Sequence, residues 1–524
     1  MQRNLHPGIL ILIFFWGAMY ALFPLKIQAV ESYIYAAAIE GNYDLRSTFA
    51  EANPGSHLPD FARLHPNHPL PHFVVGKAFD IFKIPALTGM KTINFISALV
   101  AIVFLFLICE MLLRDPTSAI LGTLIAASTA VFWGLAVSGE VHMPAFALLT
   151  VAGFFLTRFL LLDGFDTRTL QLAALFFTLA GMVHIAALFS ALPALPALWL
   201  KMRGAGGRGR WMHYTAIALF CLLGLALVYV LLPVLYFGIA NRKDYFDFIS
   251  IYAHLKMPDI RGNQWLSAIT GTYLQSFIAG SGAWALTAKI TLGTWLLWGY
   301  ILFLRSAAPA AVRVLFVSAP VAYFLSHLLF SVRPDAINGW LFVLPSAAVA
   351  AAYAFAQARA AAGARFFSYP MAVVTASAVF IGTILPNAGL NPTDYAYLSE
   401  YQPAATQGKR AVVIATDPVL TFPDVYDFKY RRNFASFKII WACCGRTAYL
   451  AELKDAIQKH EIDLIIADEL NQGIPALLYE VGRPYATAFE KSGNVQPAWL
   501  PSSIYFTRPA GYTIAKRIVV YSLE

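Results

Sequence analysis

The sequence predicts a polytopic α-helical membrane protein of about eleven spans, with a small extracytoplasmic α/β domain at its carboxyl end. Three observations predict it. Of the 524 residues 59% are hydrophobic and only 13% charged, about half the ~25% usual in soluble chains. The cations gather in short loops between apolar runs of about 20 residues, the length that crosses a hydrocarbon core. Beyond residue 390 the charge rises and short β-branched runs replace the long apolar ones. The net charge of +9 therefore reads as a membrane-orientation signal, and no nucleic-acid partner is expected. The four cysteines (Cys109, Cys221, Cys443, Cys444) form no disulfide or zinc framework: two fall inside spans and two are adjacent in sequence.

The spans read as 8–29, 92–113, 117–137, 142–163, a pair of short helices within 169–200, 212–238, 283–304, 311–331, 338–357 and 367–386. The pair follows from charge. Arg158 and Arg168 precede the stretch and the KMRGAGGRGR cluster, Lys201 to Arg210, follows it. If both face the cytoplasm the chain must go out and return, turning near His184–Pro193. The same alternation puts Arg3, Arg114, Arg305, Arg313, Arg359 and Arg365 inside, with the amino terminus inside and the carboxyl terminus outside. The first span has a charged start and a potential cut after Ala29. Its apolar run is long for a signal peptide and IQA is a poor cleavage site, so it is expected to stay as a span.

Regions 30–91, 239–282 and everything after about 388 then lie outside, joined there by the turns 138–141 and 332–337. This divides the chain into a membrane domain, 1–389, and an outer domain, 390–524. In the latter RAVVIATD (410–417), FKIIWACC (437–444) and IDLIIAD (462–468) read as strands and TAYLAELKDAIQKHE (447–461) as a helix, a βαβ pattern with no phosphate-binding glycine loop. An accessory role, covering the membrane site or contacting an acceptor, is the expectation for it.

Ionisable residues at the outer ends of spans are the candidates for chemistry, because a charge near lipid is costly without a partner or a role. Glu31 follows the first span in VESYIYAAAIEG, and Glu140 and His142 sit in SGEVHMPAF. His184 lies in GMVHIAALF, His327 in YFLSHLLF, and Arg333 and Asp335 in SVRPDAINGW. Each has a bland reading beside the sharp one. Glu31 also suits a solvated helix-start carboxylate, Glu140 and His142 a helix-capping pair, and Arg333 a snorkelling cation, although its fork also suits a phosphate diester. His184 and His327 read mainly as helix-packing residues. Arg242 and Lys243 open NRKDYFDFISIYAHLKMPDIRGNQW, which reads as an interfacial amphipathic helix or as a lipid-phosphate contact. In RLHPNHPLPHFVVGKAF the prolines at 66, 69 and 71 are expected to hold the chain extended, so that His65, His68 and His72 splay rather than converge on a metal.

The order of four segments resembles a known family. VESYIYAAA comes just past the first span and HPNHPLPHFVVGKAF leads back to the membrane. AVSGEVHMPAFALL follows at the end of a span, and RPDAINGWLFVLPSAAVA comes near the end of residues 1–390. This order is similar to the GT-C superfamily of integral-membrane glycosyltransferases, in particular bacterial members like the protein O-mannosyltransferases and lipid A aminoarabinose transferases. The resemblance implies transfer of a sugar from a polyprenyl-phosphate carrier, lying in the bilayer, to a lipid, glycan or protein acceptor on the outer face of a bacterial inner membrane. It implies inversion by direct displacement, with Glu31 as the general base, Asp44 as its fallback, and Glu140 as the second acidic residue orienting substrate or sharing a metal. Both acidic positions carry Glu where the family more often has Asp. Around the donor the resemblance places Tyr33, His65, His68, His142, Arg242, Lys243 and Arg333. It leaves a divalent metal open and names no certain cofactor. A lipid-linked-sugar transporter and an inactive scaffold of the same fold are the competing readings. The first is disfavoured by the absence of internal repeats and by acidic residues at span ends rather than mid-membrane.

Overall fold

A computed structural model of the chain describes residues 7–24, 30–40, 43–44, 68–203, 208–237, 241–243, 245, 273–278, 283–329, 337–361, 370, 373–374, 376–377, 380–385, 397–401, 407–415, 434–441, 448–468, 473–495 and 514–524. The membrane part opens with α1 (Pro7–Leu22), α2 (Val30–Ile39), a two-residue strand β1 (Tyr43–Asp44), α3 (Pro69–Phe82) and the 28-residue α4 (Ala86–Leu113). Next come α5 (Pro116–Ala127), α6 (Ala130–Val137), α7 (His142–Leu161) and α8 (Thr167–Val183). A 3₁₀ turn, Ile185–Ser190, leads into α9 (Ala191–Arg203). Then follow α10 (Arg208–Ala226), a π-helical stretch Leu227–Leu231, α11 (Leu232–Phe237), α12 (Ala283–Leu304) and α13 (Ala310–Leu329). A second 3₁₀ segment, Ile337–Val343, precedes α14 (Leu344–Ala360).

Local chemistry sets these boundaries. Asp115 caps α5, accepting from the Thr117 and Ser118 N–H groups at 3.2 and 3.4 Å, with Pro116 in the first turn where its missing donor costs nothing. Asp166 caps α8 in the same way. At the other ends Lys83 and Arg114 adopt left-handed backbone, φ 56° and 54°, and stop α3 and α4.

The chain is a multi-pass helical membrane protein. Among the described residues six helices are long and apolar enough to cross a bilayer, or seven if α5 and α6 count as one span. Each expected span before 367–386 coincides with a described helix or helix pair, and these differ in length and straightness. The expected third span is broken by 68° between α5 and α6, where Thr129 turns extended and caps α6 by accepting from the Phe132 N–H. α1 and α8 are shorter apolar helices, and the span expected at 367–386 lies mostly outside the described residues. The predicted out-and-back pair is present: α8 stops at His184, whose backbone is extended, and α9 returns.

The basic span ends meet in pairs. Arg359 at the end of α14 donates from Nη1 to both Asp115 carboxylate oxygens, at 2.8 and 2.9 Å. The Lys201 ammonium donates to the Leu160 and Leu162 carbonyls past α7, and Arg313 to the Leu304 carbonyl ending α12, each cation meeting the negative end of a helix dipole. These contacts join three pairs of helix ends: α14 with α5, α9 with α7, and α13 with α12. α14 runs through the middle of the bundle on a stripe of small residues, Ala347 to Ala352 all buried. A Cβ on Gly122 of α5 would lie 2.5 Å from the Ala348 carbonyl oxygen, and one on Gly299 of α12 2.0 Å from that of Ala350. Small residues here let three helix backbones touch, the usual means of holding helices together in lipid. Leu10, Phe14, Leu222, Leu223, Leu235 and Leu297, all more than half exposed, form the outward apolar surface.

The carboxyl-terminal part is a mixed sheet: β2 (Arg410–Ala415), β3 (Ser436–Trp441), β4 (Leu464–Asp468), β5 (Tyr485–Val495) and β6 (Ile514–Leu523), with α15 (Ala448–Gln458) and α16 (Gly473–Val481). The strand order is β1-β3-β2-β4-β6-β5, parallel through β4 and antiparallel at β6 and β5. The predicted βαβ unit is β3–α15–β4, its strands flanking β2 rather than each other. Side chains alternate across the pleat. Ala411, Val413, Ile439, Leu464, Ile466, Ile518 and Val520 join the large buried cluster that runs through the bundle. Val412, Ile414, Ile440, Ile465 and Val519 pack instead on Leu453 and Ile457 of α15 and Ile474, Leu477 and Leu478 of α16. β1 comes from region 30–91, so this sheet takes its edge strand from the amino-terminal part of the chain: Tyr43 pairs with Ile439 and Asp44 with Ile440.

Candidate functional site

Four segments meet where α2, the start of α3, the α6–α7 junction and the end of α8 converge. The first surprise is α3. Its prolines do not hold the chain extended. Pro69 and Pro71 fall in the first helical turn, where proline is tolerated. His68 is the residue before the helix and His72 lies one turn in, so the two rings come together, centroids 4.7 Å apart, instead of splaying. Tyr35 of α2 packs edge-on against both, at 4.9 and 5.2 Å. The stack continues inward. The His184 ring lies nearly parallel to that of His68 at 5.3 Å and at 4.2 Å from that of His142. Phe342 of the second 3₁₀ segment closes the far side at 6.4 Å from His184.

His184 stops α8 and starts the next turn: its Nδ1 accepts from the Ala186 N–H at 3.1 Å, which leaves the ring proton on Nε2. Tyr323 of α13 fastens the same turn, donating to the Ala186 carbonyl at 3.2 Å and sharing a hydrogen bond with Ser190 at 2.9 Å. His72, on the outer-loop helix, is 2% exposed, and burial pushes its pKa down to about 3. It is a neutral imidazole at physiological pH.

Glu140 sits at the inner end of this stack and is 2% exposed. Its Oε2 is 3.3 Å from His142 Nδ1, while Oε1 has no hydrogen-bond partner among the described residues. A capping role for this pair is not what forms: the residue before α7 is Val141, with no side-chain cap. The junction is held instead by Asn94 of α4, whose amide donates to the Ser138 carbonyl at 2.8 Å and to that of Glu140. The Ser138 hydroxyl in turn accepts from the Glu140 N–H at 3.2 Å. A buried carboxylate with one oxygen unused is costly, and such carboxylates concentrate where a ligand or a proton completes them.

Glycine 139 brings the two acidic segments together. A Cβ there would meet Leu87 Cδ1 at 2.7 Å and Ser32 Cβ at 3.0 Å. The junction carrying Glu140 therefore rests directly on the first turn of α2, one residue beyond Glu31. Glu31 occupies the second position of α2, one helical turn before Tyr35, so both positions fall on one helix face. Tyr33, expected at the donor, is buried in the core. Arg242 and Lys243 are exposed in the segment after α11, where Tyr245 anchors the chain by donating to the Tyr229 carbonyl at 2.8 Å. Asp44 lies in β1, in the carboxyl-terminal sheet. His65, Arg333, Asp335, Cys443 and Cys444 lie outside the described residues, as do the side chains of Glu31 and His327.

Sequence reasoning set aside His184, which is central to the stack, and missed Glu40. The signal for His184 was available: it interrupts an apolar run at the point where charge alternation demands a turn. Glu40 closes α2 and accepts from the Ala86 N–H at 2.9 Å, holding the start of α4 from another segment. Among the described residues no three His, Cys, Asp or Glu side chains converge as a metal-ligand set. The imidazoles meet face and edge rather than pointing at a common centre.

The fold, a multi-pass helical bundle joined to a mixed sheet, is the GT-C-type fold seen in solved membrane glycosyltransferase structures. The chain shares it over nearly its full length, at low sequence identity. ArnT from Cupriavidus metallidurans in the apo state superposes with a TM-score of 0.59 at 10% identity, covering 98% of this chain and 97% of that one. The same protein bound to undecaprenyl phosphate gives 0.58, also at 10% identity, covering 98% of each chain. The arabinofuranosyltransferase AftD from Mycobacteria gives 0.51 at 13% identity, over 99% of this chain but 40% of that longer one. No protein-family model matches the sequence, and no curated protein does.

Proposed function

We propose that the chain is a glycosyltransferase that moves a sugar from a polyprenyl-phosphate carrier to an acceptor hydroxyl at the outer face of a bacterial inner membrane. The observation that carries this reading is the meeting of the Glu31 and Glu140 segments, through Ser32 and Gly139, inside a fold shared with ArnT, which has been seen with undecaprenyl phosphate bound. In the reaction the acceptor oxygen attacks the anomeric carbon, the bond from that carbon to the phosphate oxygen breaks, and the polyprenyl phosphate leaves. The acceptor proton passes to a carboxylate, which we assign to Glu31. Glu140, buried and with Oε1 unused, stabilises positive charge developing on the sugar. His68, His142 and Tyr33 line or support the donor side, while His65, Arg242, Lys243 and Arg333 supply contacts to the sugar and the phosphate. The outer domain, 390–524, covers the site or contacts the acceptor.

The test is sugar transfer from a radiolabelled polyprenyl-phosphate donor pool in membranes, comparing the unmodified protein with Glu31→Gln. Loss of a general base costs about 10²–10⁴-fold, so transfer should collapse by that factor while binding of undecaprenyl phosphate persists. Unchanged transfer moves the base to Glu140 or Asp44. No transfer by the unmodified protein from any such donor defeats the reading.

A further inference from the structure

We propose that His184 is a positioning residue for Glu140, passing the docking of the outer-loop helix α3 through stacked imidazoles to the buried carboxylate. As a statement about catalysis this rests on the glycosyltransferase reading. As a statement about structure it does not.

The argument starts from what holds Glu140. Its backbone is fixed by Asn94 and Ser138, and among the described residues the side chain's ionisable neighbour is the His142 ring, with Nδ1 3.3 Å from Oε2. The placement of the carboxylate therefore depends on the placement of that ring. His142 opens α7 with no side-chain cap on the residue before it, and the described ring in contact with its own is that of His184, at 4.2 Å. His184 is well suited to act as a fixed plate. Its backbone is tied to α8 through its N–H, which donates to the Ala180 carbonyl at 2.9 Å, and its Nδ1 is engaged by the Ala186 N–H. One ring atom, Nδ1, and the backbone that carries the ring are thereby held before any ligand arrives. The ring of His184 also stacks with that of His68, which belongs to another segment altogether, the entry to α3. His68 in turn is set by His72 and Tyr35. The order from α3 to the carboxylate is therefore His72 and Tyr35, His68, His184, His142, Glu140, with successive ring centroids 4.2–5.3 Å apart and the carboxylate 3.3 Å from the last ring. Coupling through such a chain is geometric. If α3 undocks, the His68 face of His184 opens, the His142 ring gains room to turn, and Oε2 loses its neighbour.

Three substitutions separate the ring from the hydrogen bond. His184→Phe keeps a flat ring and loses the acceptor for Ala186. His184→Asn keeps an acceptor at the Nδ1 position and loses the ring. His184→Ala loses both. Hydrogen–deuterium exchange of the full-length protein in lipid nanodiscs reads the structural claim without any substrate. His184→Ala and His184→Asn should raise exchange at 138–145 as well as at 185–190, and His184→Phe should leave 138–145 protected. Faster exchange confined to 185–190 overturns the proposal, because His184 would then be only a local cap. The transfer assay reads the catalytic claim. His184→Ala and His184→Asn should lower the maximal rate by about tenfold or more, the scale of a small misplacement, with little change in the donor KM and with recovery in His184→Phe. In a Glu140→Gln background His184→Ala should add no further loss, since it acts through that carboxylate. A full additional loss overturns the proposal. Propagated exchange in a protein that transfers no sugar leaves the stack standing and defeats only the glycosyltransferase reading.

Discussion

His72 shows what a single buried imidazole does to stability. Free histidine titrates near 6.5, whereas His72, enclosed by Tyr35 and His68 on the outer-loop helix, is held at about 3. The folded state therefore refuses a proton that the unfolded chain accepts below ~6.5. The sign follows: the contribution of the neutral ring is complete above about pH 6.5 and is lost progressively as pH falls from there toward 3. Thermal unfolding of the solubilised protein should show a midpoint that declines between pH 7.5 and 5, and His72→Phe should flatten that decline even if it lowers the midpoint overall. A wild-type curve level across this range would mean that the ring is not enclosed. At this scale much of the site was legible. Glu140, His142, His68 and Glu31 are conspicuous because ionisable groups at the ends of apolar runs require a reason. The approach of His68 to His184 and His142 was not legible, because it depends on how proline was read. A proline inside a helix breaks it, but in the first turn it begins one, and the sequence alone offers both.

The helices are decided by where small residues stand as much as by hydrophobic length. Gly299 carries the close approach of α12 to α14: a Cβ there would sit 2.0 Å from the Ala350 carbonyl oxygen and 2.6 Å from its carbon, both backbone atoms that cannot swing aside. Gly299→Ala must push the two helices apart, and overpacking of this kind costs about 1–3 kcal/mol or more. Gly164, between α7 and α8, has nothing within 4 Å of an added Cβ. Gly164→Ala should therefore leave the unfolding midpoint in place while Gly299→Ala lowers it by several degrees or abolishes the folded protein; equal midpoints would refute the contact. The existence and order of most spans were readable from hydropathy and charge, including the turn at His184. The break between α5 and α6 was not, because Ser128 and Thr129 are unremarkable in an apolar run until Thr129 caps the following turn. β5 was equally hidden: as an edge strand with Glu490 and Lys491 it lacks an apolar signature, and it is defined by its ladder to β6.

At the scale of the whole molecule, the charge alternation predicts two faces, with the basic span ends on one side and the sheet on the other. Tyr479 on α16 is 88% exposed and Arg203 ends α9, also exposed. In intact spheroplasts a membrane-impermeant maleimide should label Tyr479→Cys, and should label Arg203→Cys only after permeabilisation; the reverse pattern would invert the topology. The change of composition beyond about 390 was visible in the sequence, but the strand that reaches the sheet from 30–91 was not, since two residues, Tyr43 and Asp44, carry no periodicity. Yet that strand ties the loop bearing α2 and α3, and with them the histidine stack, to the outer sheet. The tie makes a geometric prediction. Paired residues on neighbouring strands are close enough for a disulfide, and Tyr43 lies opposite Ile439. Tyr43→Cys with Ile439→Cys should cross-link on mild oxidation, so that fragments cut between the two positions stay joined until reduced. Tyr43→Cys with Lys438→Cys, whose side chain leaves the opposite face of the sheet, should not. Cross-linking of both pairs or of neither would mean that β1 does not hold this register, and the outer sheet would then be free of the loop that shapes the site.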